Sequence, residues 1–63
     1  MIVNGRKTVS EAGTLAALIA ERGLGEAKVA TALNGQFVPE AQRATTALSS
    51  GDRVEIVSAR QGG

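Results

Sequence analysis

The chemistry that this sequence offers is concentrated at its C-terminal end, Gly62-Gly63. Glycine has no Cβ atom, so two glycines in succession can lie extended in a slot too narrow for any other dipeptide. The group that such a slot would receive is the terminal carboxylate. Elsewhere the 63 residues contain no His, Cys, Trp or Tyr. We therefore predict that any reaction of this protein takes place at the C-terminal carboxylate of Gly63, with Gly62 giving it access.

A terminal glycine pair also has ordinary explanations. Chain ends are often frayed and tolerant of change, and chance or a cloning remnant can leave glycines there. Two pairs of carboxylates, Glu11 with Glu21 and Asp52 with Glu55, could in principle exchange protons. No pattern places them in a pocket, so we interpret them as surface charges that favour solubility.

The length and composition exclude several kinds of site. We expect residues 1–63 to form a single domain, near the lower size limit for a chain that folds without disulfides or metals. Without Cys there is no disulfide or thiolate ligand, and without His the usual zinc sites are excluded, so we predict no metal site. The expected class is a small protein stabilised by an aliphatic core.

The charge pattern argues against nucleic acid as a partner. Seven basic and six acidic residues give a net charge of +1, and the basic residues are scattered along the chain. Phe37 is the one aromatic residue, which leaves no stacking surface for bases. We find no apolar run long enough to span a membrane and no signal peptide, so we expect a cytoplasmic protein without membrane contact.

Two Asn-Gly pairs, Asn4-Gly5 and Asn34-Gly35, predict two-residue hairpin turns. A type I′ turn needs positive φ at both central residues, and this pair of residues tolerates it best. Pro39 would end the second hairpin because it has no N–H to donate. The four strands joined by these turns are predicted at residues 1–3, 6–9, 28–33 and 36–38.

One amphipathic helix is predicted between the hairpins, over residues 15–22. Thr14 can cap its first turn through the hydroxyl group. Gly23 suits the left-handed residue after the helix, and Leu24 would then pack back against the last turn. The helix would present one apolar stripe, formed by Leu15, Leu18 and Ile19.

A last strand is predicted at residues 53–58, with Val54 and Ile56 on one face and Glu55 and Val57 on the other. Residues 40–50 lack a clear period, and we expect a short helical turn there, anchored to the core by Leu48. The predicted core consists of the larger apolar residues: Ile2, Val3, Val9, Leu15, Leu18, Ile19, Leu24, Val29, Leu33, Phe37, Val38, Leu48, Val54 and Ile56.

These elements predict an α+β fold, with one helix across one face of a five-stranded mixed sheet. The tail, residues 59–63, would leave directly from the last strand, and we expect it to be flexible. Exposed apolar residues on the face away from the helix would contact partners, with Val57 and Ala59 as the best candidates. Arg60 and Gln61 would add hydrogen bonds to such a partner.

Several segments together resemble the ThiS family of thiamine biosynthesis. They are the turn at Asn4-Gly5, the stretch at residues 32–39 ending in valine-proline, and residues 52–57 running to the terminal glycines, with residues 13–15 before the helix. The resemblance covers essentially the whole chain and implies the ubiquitin-like β-grasp fold. Members of the family often have a basic residue and then a tryptophan after the valine-proline pair, where this chain has Glu40 and Arg43.

The resemblance implies a carrier and not a catalyst. In the family, a ThiF-like adenylyltransferase uses ATP and Mg²⁺ to convert the terminal glycine carboxylate into an acyl-adenylate. Sulfur drawn from cysteine through a cysteine desulfurase then replaces AMP, which leaves a thiocarboxylate, here 1-thioglycine at Gly63. The thiazole synthase ThiG takes that sulfur for the thiazole ring of thiamine. No cofactor would be bound by the carrier itself.

Three other functions fit the same residues. The sulfur carrier of molybdopterin synthase shares the fold and the tail, although it tends to be longer. A ubiquitin-like modifier would join its terminal glycine to lysines of target proteins. A plain β-grasp interaction module would make no use of its last residues.

Overall fold

A computed structural model describes residues 1–25 and 28–58, in which a five-stranded mixed sheet is covered on one face by an α-helix. The strand order is β2-β1-β5-β3-β4. The central pair, β1 with β5, is parallel, and the other pairs are antiparallel. In chain order the elements are β1 (Ile2–Val3), β2 (Arg6–Lys7), α1 (Leu15–Glu21), β3 (Val29–Leu33), β4 (Gln36–Val38), a 3-10 helix (Glu40–Thr45) and β5 (Arg53–Ser58). This confirms the predicted α+β, β-grasp arrangement.

Both Asn-Gly pairs form the predicted hairpin turns. Asn4 and Asn34 have φ of 51° and 52°, and the glycines that follow have φ of 82° and 86°. The second turn pairs Leu33 with Gln36, the two residues that flank it. The predicted elements are thus confirmed, with ends that differ from the structure by up to two residues.

The helix α1 is short and begins and ends at specific hydrogen bonds. The Thr14 hydroxyl accepts a hydrogen bond from the backbone N–H of Ala17 at 3.2 Å, which caps the first turn. At the other end Gly23 has φ of 75°, and the Leu24 N–H donates to the Ile19 carbonyl at 3.0 Å. These bonds satisfy terminal backbone groups of a seven-residue helix, which would be marginal alone.

The core lies between α1 and the sheet face that it covers. Seven apolar side chains are buried there: Val3, Leu15, Leu18, Ile19, Val38, Val54 and Ile56. Three of these, Leu15, Leu18 and Ile19, come from α1. Leu24, Val29, Leu33 and Leu48 pack against this cluster, as predicted, together with Met1 and Ala12. Leu48 is fixed in place by its N–H, which donates to the Gly13 carbonyl at 3.0 Å.

Three residues of the predicted core are placed elsewhere. Val9 is 98% exposed, because β2 ends at Lys7 and the chain leaves the sheet before reaching it. Phe37 is 70% exposed, because its neighbour Val38 faces the core. Ile2 is half-buried, because Val3 is the residue of β1 that faces the helix. The core prediction was wrong at these three positions.

Candidate functional site

The strand β5 is the element that bears the predicted reactive end. It lies in the middle of the sheet, parallel to β1 on one side and antiparallel to β3 on the other. Its pairing with β3 continues to its last residue, Ser58, which lies opposite Val29. The strand that precedes the tail is therefore held on two sides along most of its length.

The predicted tail residues lie outside the described part of the chain. These are Ala59, Arg60, Gln61, Gly62 and Gly63. The structure begins to bear on the predicted site at Val57, which is 58% exposed. Its register partner on β3 is Ala30, and both side chains point away from α1.

We call the sheet face away from α1 the open face. Its end beside β4 is apolar. The register brings four apolar side chains together there, from three neighbouring strands: Ala30, Ala32, Phe37 and Val57. Ala32 lies opposite Phe37 on one side and Glu55 on the other. These residues line a shallow groove of about 490 Å³, together with Asn4, Thr31 and Glu55. Small alanines between two larger side chains leave room for an inserted side chain.

The charges on the open face begin at Glu55, which lines the groove and is separated from Phe37 by Ala32 in the register. Arg53 and Lys7 follow on the same side of the sheet, flanking Ile2 in the register. The apolar end of the open face therefore lies where β5 ends and the tail begins.

Phe37 belongs to this surface and was missed as a contact residue by the sequence analysis. The signal was present, because a two-residue turn at Asn34-Gly35 sets Ala32 opposite Phe37 and Thr31 opposite Val38. Val29, Thr31 and Leu33 already alternate with the alanines of β3. Phe37 must then share the face of the alanines and not that of the core.

On the covered face of the sheet, a buried arginine joins the 3-10 helix to β3. Arg43 is 9% exposed. Its Nε donates to the Thr31 hydroxyl at 3.1 Å, and its Nη2 donates to the Val29 carbonyl at 2.6 Å. The Thr31 hydroxyl in turn donates to the Val38 carbonyl at 2.7 Å. The residue found near the family's usual tryptophan position thus has its guanidinium group turned inward, and not toward a partner.

Among the described residues, no hydrogen bond joins Glu11 to Glu21 or Asp52 to Glu55. Glu21 accepts a hydrogen bond from the Ser10 hydroxyl at 3.0 Å. Asp52 accepts from the Asn34 side-chain amide at 3.1 Å and from the Ser49 N–H at 2.7 Å. The hydrogen bond from the Asn34 amide, and to a smaller extent the bond from the Ser49 N–H, lowers the pKa of Asp52 below its usual value. Both bonds stabilise the turn before β5.

Within residues 1–25 and 28–58, no group of three or more acidic side chains is placed to hold a metal ion. No helix in these ranges has the length and apolar character needed to cross a membrane. Two of the large exposed apolar residues of the described ranges, Phe37 and Val57, lie on the open face.

Comparison with known proteins identifies the family. The sequence model of the ThiS family matches residues 3–63, nearly the whole chain. The crystal structure of the thiamine biosynthesis protein ThiS from Geobacter metallireducens is similar, with a TM-score of 0.77 and 29% sequence identity. The alignment covers 98% of this chain and 96% of that chain. No curated protein matches the sequence. The chain therefore belongs to the ThiS family, the small sulfur carrier proteins of thiamine biosynthesis.

Proposed function

We propose that this protein carries sulfur as a thiocarboxylate on Gly63 for the synthesis of the thiazole ring of thiamine. The observation that supports the proposal best is the central position of β5, which is the last strand before the terminal glycines in the sequence. Family membership over residues 3–63 includes those glycines. In this proposal the protein is a co-substrate of other enzymes and not an enzyme.

The reaction begins with activation of the terminal carboxylate. A free α-carboxyl group has a pKa of about 3.3–3.7, so it is ionised at neutral pH and is a poor electrophile. A ThiF-like adenylyltransferase with ATP and Mg²⁺ would let a carboxylate oxygen attack the α-phosphate and expel pyrophosphate. Gly62 and Gly63 have no side chains that would obstruct this approach.

Sulfur then enters at the same carbonyl carbon. A desulfurase takes sulfur from cysteine as a persulfide, whose terminal sulfur would attack the acyl-adenylate and expel AMP. A thiol reductant would then cleave the S–S bond of the resulting acyl disulfide, which leaves 1-thioglycine at Gly63. The sequence contains no Cys, so the sulfur cannot be stored as a persulfide of this chain. Thiazole synthase, ThiG, would accept the sulfur.

The partners would dock on the open face before the tail enters their active sites. Phe37 and Val57 are large apolar residues exposed by 70% and 58% on neighbouring parts of this face. Aromatic residues, Phe among them, are enriched at the cores of protein–protein interfaces. Ala59, Arg60 and Gln61 would extend the contact along the tail, with Arg60 and Gln61 hydrogen-bonding to the activating enzyme.

Intact-protein mass spectrometry tests the proposal. The protein is incubated with the adenylyltransferase, ATP, Mg²⁺, a cysteine desulfurase, cysteine and a thiol reductant. We expect a mass gain equal to the replacement of one oxygen atom by sulfur, located at Gly63 by fragmentation. A variant that lacks Gly63 is the control. Sulfur incorporation into that variant, or none into the full chain, would overturn the proposal.

Two further readouts separate the alternatives. Transfer of the sulfur to ThiG, and not to molybdopterin synthase, is expected. Slower-migrating covalent adducts in a cell extract that disappear when Gly63 is removed would instead indicate a protein modifier.

A further inference from the structure

The two Asn-Gly turns have the same backbone shape and bind the same strand at different places. Asn4 and Asn34 have φ of 51° and 52°, and each uses both its backbone and its side chain to bond β5. A turn needs its asparagine only for the left-handed conformation. The side-chain bonds are therefore an additional function of these residues, beyond forming a turn.

Asn4 extends the pairing between β1 and β5. The backbone register of these strands ends at Val3 with Val54, and the Asn4 N–H then donates to the Val54 carbonyl at 2.9 Å. Beyond this point the side chain takes over. Its Oδ1 accepts from the Ile56 N–H at 2.8 Å, and its Nδ2 donates to the Ile56 carbonyl at 3.0 Å. A carboxamide has the donor and acceptor of a peptide group, so Asn4 acts as one more residue of β1.

Asn34 makes the corresponding bonds at the start of β5. Its N–H donates to the Arg53 carbonyl at 2.7 Å, and its Oδ1 accepts from the Arg53 N–H at 3.0 Å. Its Nδ2 donates to a carboxylate oxygen of Asp52 at 3.1 Å. Asn34 thus holds the end of β5 that is remote from the tail, and Asn4 holds β5 two residues before its last residue, Ser58.

We propose that Asn4 is a positioning residue for the tail, an inference that rests on the proposed function. Its amide holds the β1 side of β5 at Ile56, while β3 holds the other side through Ser58. With both sides held, the strand leaves the sheet in one direction, and the terminal carboxylate is presented to the activating enzyme from a fixed base. Without the amide, the Ile56 backbone loses its two bonds on the β1 side, and more orientations of the tail must be excluded during the reaction.

The matched variants Asn4→Gly and Asn34→Gly test this role. Glycine adopts positive φ at no steric cost, so both turns keep their shape while each loses its side-chain bonds to β5. In the free protein, amide hydrogen exchange should show faster exchange of the Ile56 N–H in Asn4→Gly and unchanged local protection there in Asn34→Gly. This measurement uses no partner enzyme.

The second measurement is steady-state adenylation, corrected for the folded fraction of each variant. We expect Asn4→Gly to lower kcat by about tenfold with a smaller change in KM, because Phe37 and Val57 of the open face are unaltered and the delivery of the tail is impaired. Asn34→Gly should retain the kcat of the unaltered protein. Asn4→Asp, which tolerates the same backbone conformation and keeps an acceptor for the Ile56 N–H, should recover part of the lost kcat.

The possible outcomes separate this inference from the proposed function. Equal kcat for the two glycine variants, or unchanged Ile56 exchange in Asn4→Gly, would overturn the positioning role and leave the carrier function standing. Failure of the unaltered protein to be adenylated at all would overturn the carrier function instead, and the role of Asn4 in the reaction with it.

Discussion

The two faces of β5 bear similar side chains in opposite surroundings. Val54 is fully buried beneath α1, whereas Val57, three residues later and of the same type, is 58% exposed. The difference comes from where the helix and the Arg43 network cover the sheet, and not from the hydrophobicity of the strand. An apolar residue on the covered face stabilises the fold, and the same residue on the open face is available to a partner.

The largest difference in stability is expected when the same substitution is made on each face. Val54→Ala removes two buried methyl groups and should lower the free energy of unfolding by about 2 kcal/mol, since transfer and cavity terms add. Val57→Ala should change it by less than about 0.5 kcal/mol. Urea titration followed by circular dichroism measures both, and similar losses for the two variants would contradict the assignment of the faces.

A smaller effect is expected at the polar layer between the covered face and the 3-10 helix. Thr31→Val preserves the shape of the side chain and removes the hydroxyl that bonds both Arg43 and the Val38 carbonyl. Unpaired buried polar groups should lower the free energy of unfolding by about 1–2 kcal/mol. Thr31→Ser keeps the hydroxyl and should lose less. A Thr31→Val protein as stable as the original would show that water satisfies these groups.

On the open face the effect should appear in partner binding. Val57→Asp places a charge in the groove that Phe37 also lines, and we expect KM for adenylation to rise about tenfold, equivalent to about 1.4 kcal/mol. The circular dichroism spectrum and thermal unfolding should stay close to those of the unaltered protein. Phe37→Ala should act in the same direction. Unchanged kinetics in both variants would show that partners bind elsewhere.

The smallest effect concerns acid stability at the exposed start of β5. The Asn34 amide and the Ser49 N–H lower the pKa of Asp52 in the folded protein. Such a group stabilises the fold above its unfolded-state pKa of about 3.9, and this contribution disappears as the pH falls through the lower folded-state value. Asp52→Asn should therefore reduce the stability difference between neutral pH and the acid side of pH 4. Equal pH profiles would contradict this role.

Local signals in the sequence were sufficient to predict the helices and strands, but not to predict the sheet face on which every side chain lies. The turns at Asn4-Gly5 and Asn34-Gly35, the Thr14 cap and the Gly23 end are each determined by short-range chemistry. The facing of Phe37 required the register of the second hairpin to be followed residue by residue, since Phe37 and Val38 are both apolar and adjacent.

The bonds of Asn4 and Arg43 depend on distant partners. Asn4 bonds a residue 52 positions away, and Arg43 reaches across to β3. No pattern within the hairpin or the 3-10 helix indicates these contacts. The Gly-Gly end was visible from the sequence as a candidate site, but its place in a reaction depends on a second protein.

The parallel pairing of β1 with β5 has a consequence for folding during synthesis. The two hairpins, β1-β2 and β3-β4, do not pair with each other and are joined in one sheet through β5. A growing chain must therefore be synthesised through Ser58 before its sheet can close. Because such contacts span nearly the entire length, closure is slower than in helical proteins. In living cells, chains that terminate early would stay unfolded and open to proteolysis, so the pool of folded molecules would be enriched in those that have reached the tail.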